Sequence, residues 1–226
     1  MDEIKQAGME LESENRAIFA KGVDISEHQG TIDFQKLKAA GVQFVIARAG
    51  YGKGHIDKCF EHNAAECRRL NIPMGVYWFS YALTPDDAKK EAQHCLAAVK
   101  PYRLEYPVCY DLEYDSVRYA HTQHVTIDKK LATDMAMAFC REIQRARYYA
   151  ANYSNKDYAE NMFDKKVFES FDLWYASYLS ACGRQDAGLW QYNDKGVFYD
   201  KNKYFDLDYS FKNYPEIIRK AKLNGF

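Results

Sequence analysis

The sequence predicts a single-domain α/β protein, a TIM-like (β/α) barrel with eight strands and fewer than eight helices. Apolar segments of strand length alternate with amphipathic segments of helix length, which is the pattern of a parallel sheet joined by helices. Eight strand segments occur, the number that closes such a barrel. In the second half the segments between strands become too short for full helices, so we expect a flattened or incomplete barrel.

The first half of the chain carries four strand and helix units. The strand segments are rich in β-branched and aromatic residues, and we assign them to residues 22–26, 44–50, 74–81 and 106–113. Asp33 and Thr84 are good helix-capping residues, and each precedes a helical segment. The fourth helix is the longest, with apolar residues at helical spacing over residues 127–143.

The second half of the chain has shorter connections. Its helical segments are a short one over residues 156–163 and a closing one over residues 215–223. Its strands fall at residues 148–154, 173–176, 189–192 and 205–209. Residues 1–20 are acidic and helix-forming, so we interpret them as an N-terminal tail or lead-in helix. Residues 21–226 then form the barrel domain.

Charge and composition exclude several classes of protein. The 31 Lys and Arg residues balance 32 Asp and Glu residues, so we expect no nucleic-acid partner, which would need a basic surface. No apolar run reaches about 18 residues, so we expect no membrane span. The N-terminus lacks the basic and apolar regions of a secretory signal, which favours synthesis in the cytosol or a mature fragment. The cysteines form no Cys-x-x-Cys pair, and we expect no metal site.

Two carboxylates stand at the end of the fourth strand. Asp111 and Glu113 are two residues apart, so both side chains leave the same face of the strand. Carboxyl groups about 5–5.5 Å apart are typical of retaining glycosidases, and about 6.5–9.5 Å is typical of inverting ones. Two such close acids cannot both ionise easily, and the one whose pKa is raised can act as a general acid. The spacing alone also fits an ordinary solvated strand end.

Further acids and aromatic residues converge on the same end of the predicted barrel. Asp24 ends the first strand and Asp206 lies on the last, and these two strands are neighbours in a closed barrel. Parallel barrels carry their chemistry at the carboxyl ends of the strands. Aromatic side chains that could stack on sugar rings lie near these ends, at Tyr77, Phe79, Tyr81, Trp174 and Trp190. Together they predict an acidic cleft with aromatic walls.

Several segments of the sequence, which include these strand ends, resemble glycoside hydrolase family 25, the muramidases also called Chalaropsis-type lysozymes. The matching segments include Gly22-Val23-Asp24-Ile25-Ser26 and Asp111-Leu112-Glu113. Others follow in the family's order at residues 32–34, 38–41, 44–49, 75–79, 106–107, 173–178, 190–192 and 205–208. The resemblance implies hydrolysis of the β-1,4 bond between N-acetylmuramic acid and N-acetylglucosamine in bacterial peptidoglycan.

The resemblance also implies roles for single residues. Glu113 corresponds to the proton donor, and Asp111 to its partner, which stabilises positive charge or orients the substrate's acetamido group. Asp24 and Asp206 match two further active-site acids. We expect three more substrate-binding residues beside the aromatic ones above, namely Tyr110, Tyr153 and Gln191. Asp208 departs from the family pattern, in which Asn is common at this place.

Two classes of function stay open at this point. The first is an active muramidase that acts on the cell wall with net retention, as a monomer and without a cofactor. Its lack of a visible signal suits a phage lysin, or an exported fragment whose leader was removed. The second is a saccharide-binding barrel that recognises cell-wall glycan without cleaving it. The presence of all four acids favours the first.

Overall fold

The computed structural model describes residues 16–226. Within this range the strands are β1 (Ala20–Ile25), β2 (Phe44–Tyr51), β3 (His55–Ile56), β4 (Met74–Phe79), β5 (Val108–Asp111), β6 (Ala150–Asn155), β7 (Asp172–Ala176), β8 (Ala187–Gly196) and β9 (Phe205–Ser210). The α-helices are α1 (Phe34–Ala39), α2 (Phe60–Leu70), α3 (Pro85–Val99), α4 (Tyr114–Thr122), α5 (Lys129–Arg145), α6 (Lys166–Ser170) and α7 (Tyr214–Lys220). A 3₁₀ turn covers Glu27–Gln29, and a π-helix covers Tyr158–Met162.

Eight of these strands form a closed barrel. Their order around it is β1-β9-β8-β7-β6-β5-β4-β2, and the parallel pairing of β1 with β2 closes the ring. The two-residue strand β3 pairs only with β2, as a short antiparallel edge. The prediction of an eight-stranded α/β barrel with fewer than eight helices is therefore confirmed for the part of the chain that the structure describes.

The last strand runs against the others. β9 is antiparallel to both of its neighbours, β8 and β1, so the expectation of an all-parallel barrel is wrong at this strand. The connection from β8 to β9, residues 197–204, is too short for a parallel crossover, which needs a dozen residues or more. Because β9 is reversed, its first residues lie at the end of the barrel where the parallel strands finish.

Alternate residues of the strands fill the inside of the barrel. Phe44 and Ile46 of β2 pack inside, whereas Val45 and Ala47 face the layer of helices. Phe44 stacks on Tyr106, with ring centroids 4.3 Å apart. This alternation follows from the period of two along a strand, and it also decides which residues can reach the functional end.

Helix α7 closes the lower end of the barrel, where the parallel strands begin. Its residues Tyr214 and Ile218 are completely buried against the inner cluster. The carboxylate of Asp172, the first residue of β7, accepts hydrogen bonds from Tyr214 Oη at 2.7 Å and Tyr149 Oη at 3.1 Å. Lys212 Nζ lies 2.9 Å from both of its oxygens. The lower end is therefore a packed cluster whose buried acid is satisfied.

Several of the helices begin after a residue whose side chain supplies a capping oxygen. The side chains of Asp33, Thr84 and Asp128 each accept a hydrogen bond from the backbone N–H three residues later, at the start of α1, α3 and α5. The caps predicted at Asp33 and Thr84 are thus confirmed. These helices cover the outside of the strands that carry the functional end.

One face of the barrel is covered by aromatic side chains instead of a helix. No helix lies between β7 and β8, and this face carries Leu173, Tyr175, Trp190, Tyr192, Tyr209 and Phe211. Arg16 packs its guanidinium 3.8 Å from the centre of the Phe211 ring. Strand β1 begins at Ala20, and residues 1–15 lie outside the described residues, so the division after residue 20 stays a prediction. No helix within residues 16–226 is long and apolar enough to span a bilayer.

Candidate active site

The predicted carboxylate pair lies where β5 ends. Asp111 is the last residue of the strand, and Glu113 follows it as the residue before helix α4. Glu113 is therefore outside the strand, but its backbone stays extended, with φ −129° and ψ −177°. Its N–H donates to Ser116 Oγ at 3.1 Å, which ties it to the first turn of α4. The extended backbone keeps both side chains on one face, as the spacing predicts.

The other two predicted acids meet at the seam between β1 and β9. Asp24 of β1 is directly opposite Asp206 in the pairing with β9. Asp206 is the second residue of β9, and it reaches this end only because the strand is reversed. The structure thus brings Asp24, Asp111, Glu113 and Asp206 together at one end of the barrel, which we call the mouth.

The acids of the mouth form two levels. Asp24 and Asp111 are 5% and 3% exposed, so their carboxyl groups form the floor. Glu113 and Asp206 are only partly buried and stand above them. A ligand that enters from solvent therefore meets Glu113 and Asp206 first.

Burial and mutual repulsion raise the pKa of every acid in the mouth. Burial is the largest cause for Asp111, and the negative charge of Glu113 adds to it. The pKa of Glu113 is raised by burial and then by the charge of Asp206. Burial, followed by the charge of Asp194, raises the pKa of Asp206 to about 6. Each of these shifts favours the protonated form of the acid at a higher pH than usual, which is the direction that a general acid needs.

Arg48, on β2, is the cation that opposes this repulsion. Its charge lowers the pKa of Asp111, against the effect of burial. The guanidinium is itself held in place, because Nε lies 2.8 Å from Asp57 Oδ2 and Nη2 lies 3.1 Å from Glu27 Oε1. Because Arg48 is already paired with two carboxylates, it does not neutralise the acids of the mouth, and their net charge stays negative.

A network of neutral groups fixes Asp24. Gln191 Nε2 donates to Asp24 Oδ2 at 2.7 Å. The oxygen of the same amide accepts from Tyr153 Oη at 2.9 Å and from Tyr178 Oη at 3.0 Å. The two tyrosines therefore turn the amide so that its N–H group faces the acid. Tyr178 was not predicted as a site residue, although it stands in a segment that matches the family.

Asp208 is a fifth acid on this side of the barrel, and it is not among the site residues predicted from the sequence. It is completely buried, and Trp174 Nε1 donates to its Oδ1 at 2.7 Å. Asp208 follows Asp206 by two residues, so both side chains point inward. The same spacing that singles out Asp111 and Glu113 would have found it.

Aromatic rings line the inside of the mouth. Trp174 packs edge-on against Tyr77, with ring centroids 5.9 Å apart, and against Tyr153 at 4.8 Å. Phe79 and Tyr81 are partly buried at the rim, 5.2 Å apart. The structure therefore places these five predicted aromatic residues on the side of the acids.

The connection after β4 is held by a buried acid on helix α3. Glu91 accepts from Ser80 Oγ at 2.6 Å and from the Tyr81 N–H at 2.9 Å. Burial raises the pKa of Glu91 to about 7. These two bonds fix the backbone from which Tyr81 reaches the rim.

Two of the predicted substrate-binding residues are placed away from the acids. Tyr110 precedes the inward-facing Asp111, so it points outward and packs on Phe139 of α5 at 5.0 Å. Trp190 precedes the inward-facing Gln191 and lies in the outer aromatic cluster. Its indole N–H donates to the carbonyl oxygen of Ser177 at 2.7 Å. Both corrections have the same cause, the alternation of side chains along a strand.

The sequence profile of Glycosyl hydrolases family 25 matches residues 23–201, most of the chain. The chain belongs to glycosyl hydrolase family 25. The family match confirms the resemblance seen in the sequence and covers Asp24, Asp111 and Glu113, while Asp206 and Asp208 lie just beyond it.

Individual relatives of this family 25 chain are distant. The "Autolytic lysozyme" of Clostridium acetobutylicum is 24% identical over 190 residues, which cover 83% of this chain and 55% of the relative. The chain therefore spans about half the length of that curated relative. Among solved structures, the autolysin LytC of Streptococcus pneumoniae is 27% identical, with a TM-score of 0.74, covering 84% of this chain and 46% of that one.

Two further structures share the fold of the family 25 barrel. The CTP1L endolysin has a TM-score of 0.75 at 20% identity, and the match covers 89% of this chain and 70% of the endolysin chain. A family 25 glycosyl hydrolase from Bacillus anthracis has a TM-score of 0.73 at 22% identity, with 89% and 93% covered. The barrel described here thus corresponds to nearly the whole of the Bacillus anthracis structure.

Proposed function

We propose that the chain is a muramidase that cleaves the β-1,4 bond between N-acetylmuramic acid and N-acetylglucosamine in bacterial peptidoglycan. The observation that carries this proposal is the two-level arrangement of acids in the mouth of a family 25 barrel. Glu113 and Asp206 are reachable from solvent, and Asp24 and Asp111 lie beneath them. The relatives, which include an autolytic lysozyme and an endolysin, support the choice of substrate.

Glu113 is the proton donor in this proposal. It is partly exposed, its pKa is raised, and its backbone is anchored to Ser116. A protonated carboxyl group at this place can give its proton to the glycosidic oxygen as the bond breaks. Because Asp206 raises the pKa of Glu113, a proton stays available there at a higher pH than for an isolated glutamate.

Asp111 is the partner of Glu113. Its Oδ1 is buried and has no hydrogen-bond partner within the protein, so a polar group of the substrate can bind there. The oxygen suits either role that the family resemblance implies. It can stabilise the positive charge of an oxocarbenium-like transition state, or accept the N–H of the substrate's acetamido group.

The reaction proposed here retains the configuration of the sugar. Asp111 and Glu113 lie on one face of one extended segment, an arrangement that favours the shorter spacing of retaining enzymes over the longer one of inverting enzymes. A carboxylate or the substrate's own acetamido oxygen can attack, and both routes first give the β-anomer of the new N-acetylmuramic acid end. Proton NMR in the first minutes of hydrolysis tests this, since an initial α-anomer would contradict retention.

The test of the function itself is clearance of purified bacterial cell walls, followed as a fall in turbidity. Mass spectrometry of the products should find new reducing ends on N-acetylmuramic acid. Glu113→Gln is the matched inactive variant. Binding to walls without any new reducing end would favour the saccharide-binding alternative instead. The expected place of action is the cell wall, and the monomeric state expected from the sequence is tested by light scattering in the same preparation.

A further inference from the structure

Asp208 occupies an unusual place for a carboxyl group. It is 0% exposed on β9, where it faces Gly22 of β1 and Gln191 of β8 in the strand pairings. Trp174 Nε1 satisfies Oδ1 at 2.7 Å, but Oδ2 is buried and has no hydrogen-bond partner in the protein. An ionised carboxylate here would leave a buried charge with a single neutral donor, which is costly.

The group that can relieve this cost is the carboxyl group of Asp24. Asp24 and Asp208 are diagonal neighbours on adjacent strands, because Asp24 pairs with Asp206 and Asp208 pairs with Gly22, and both side chains are buried inside the barrel. Two carboxyl groups can bond to each other only when one of them carries a proton, because an ionised carboxylate has no donor. Asp24 is already fixed from the other side by Gln191 Nε2 at 2.7 Å. A single proton held between the two acids would therefore satisfy the orphaned oxygen and the acid above it.

Among the residues that the structure describes, no unpaired cation faces the pair. Titratable and polar groups face it from seven strands and from the β7–β8 connection. They are Asp206 on β9, Gln191 on β8, Trp174 on β7, Tyr178 after β7, Tyr153 on β6, Asp111 on β5 with Glu113 after it, Tyr77 on β4 and Arg48 on β2. Arg48, the cation among them, is paired with Asp57 and Glu27. Burial, against the bond from Trp174, raises the pKa of Asp208 to about 7, and burial raises that of Asp24 as well.

We propose that Asp208 is a positioning residue that shares one proton with Asp24 beneath the cleft, so that the pair carries a single negative charge while the enzyme acts. The proposal rests on the proposed muramidase function for its catalytic consequence. Loss of the shared proton would place a second negative charge under the mouth and push Asp24 and Asp208 apart. The bond from Gln191 that fixes Asp24 would then be lost, and hydrolysis would slow.

The shared proton can be tested without any activity. In the native state the pair holds a proton that the unfolded chain, whose aspartates have a pKa of about 3.9, has released at neutral pH. The pair's contribution to stability is therefore full below about pH 4 and is lost as the pH rises through the raised pKa. Asp208→Asn replaces the proton by a fixed amide N–H. We expect the urea midpoint of the variant, relative to that of the wild type, to increase from pH 4 to pH 7.

Two further variants guard this measurement. Asp24→Asn removes the other half of the pair, so its urea midpoint relative to the wild type must also increase with pH. The test therefore remains possible if Asp208→Asn fails to fold. Asp172→Asn replaces a buried aspartate at the lower end that already has Lys212, Tyr149 and Tyr214 as donors, and it must lower the midpoint at pH 7. A constant difference between Asp208→Asn and wild type over this pH range would overturn the shared proton.

The catalytic consequence is tested by the pH dependence of kcat/KM on soluble wall fragments. We expect the ratio of Asp208→Asn to wild type to be constant at acid pH. Once the pair of the wild type titrates, the ratio should rise with pH by up to about tenfold per pH unit. A purely structural role would give a ratio that does not change with pH, and that result would overturn the proposal. If the wild type is inactive on walls, the muramidase function and the catalytic role of the pair are both overturned. The unfolding data still test, independently of activity, whether Asp24 and Asp208 share a proton.

Discussion

At the lower end of the barrel the carboxylate of Asp172 accepts hydrogen bonds from Lys212, Tyr149 and Tyr214. At the mouth, by contrast, one oxygen of Asp111 and one of Asp208 are buried without a donor. Both ends hold acids inside the same ring of strands. At the lower end neighbouring polar groups satisfy the buried carboxylate, whereas at the mouth two carboxylate oxygens are left without a donor.

This difference separates stability from reactivity within one fold. A satisfied buried acid holds neighbouring elements together, here β7 and helix α7 with the segment before it. An unsatisfied buried acid costs stability, and it persists where a ligand or a proton completes its bonds. Substitutions at the two ends should therefore act on different measurements.

The largest effect is expected for Glu113→Gln. The change keeps the size of the side chain but removes the proton that it can transfer, so hydrolysis of cell walls should fall by about 10²–10⁴-fold while the melting temperature stays unchanged. Glu105→Gln, at the lower end beside Arg219, is the matched control and should keep the wild-type rate. A Glu113→Gln protein with more than roughly a tenth of the wild-type rate would place the acid elsewhere.

A smaller loss of rate is expected for Asp111→Asn. The variant keeps the shape of the floor but removes a charge that stabilises the transition state, so kcat should fall by roughly 10²-fold. Because the unpaired buried carboxylate is also gone, the urea midpoint should stay the same or increase. A clear loss of stability with unchanged kcat would mean that Asp111, like Asp172, stabilises the fold and takes no part in the reaction.

Asp172→Asn should give the opposite result. The amide cannot satisfy Lys212 and two tyrosines as a carboxylate does, so the free energy of unfolding should fall by about 1–3 kcal/mol. The exposed fraction of the Lys212 side chain, 40%, keeps its share of this loss small. At a temperature where the variant is folded, kcat on wall fragments should equal that of the wild type. A changed kcat would mean that the two ends are coupled.

The smallest effect is a displacement of the pH profile by Asp206→Asn. The negative charge of Asp206 raises the pKa of Glu113, so its removal should lower that pKa. Glu113 then loses its proton earlier, and the alkaline limb of the kcat/KM profile should move to lower pH. A limb that stays in place would show that burial alone sets the pKa of Glu113.

The sequence was sufficient for the acids of the mouth but not for all of its walls. Strand ends and family segments were enough to bring Asp24, Asp111, Glu113 and Asp206 to one place. The misplacement of Tyr110 and Trp190 was avoidable, since each precedes a residue that must face inward. Aromatic character is a property of composition, whereas the direction of a side chain depends on its phase within the strand.

Other features depend on contacts that a linear pattern does not contain. The reversal of β9 follows from the length of its hairpin, but the pairing of Asp24 with Asp206 exists only once β1 and β9 are neighbours. The donors on Gln191 come from Tyr153 and Tyr178, which are far apart in the chain. The helix Tyr114–Thr122, which fixes Glu113 at its start, is not among the helices predicted from the sequence.

The seam between β1 and β9 also bears on how the protein folds. It joins the first strand of the barrel to the last, so it is among the contacts with the greatest separation along the chain. Pairings of this kind carry the largest loop-closure entropy and form late in folding. Asp24 and Asp206 lie on the two sides of this seam, so a chain that has folded only its earlier strands has no complete set of acids. Recovery of hydrolysis during refolding should therefore follow ring closure and lag behind the return of helical signal.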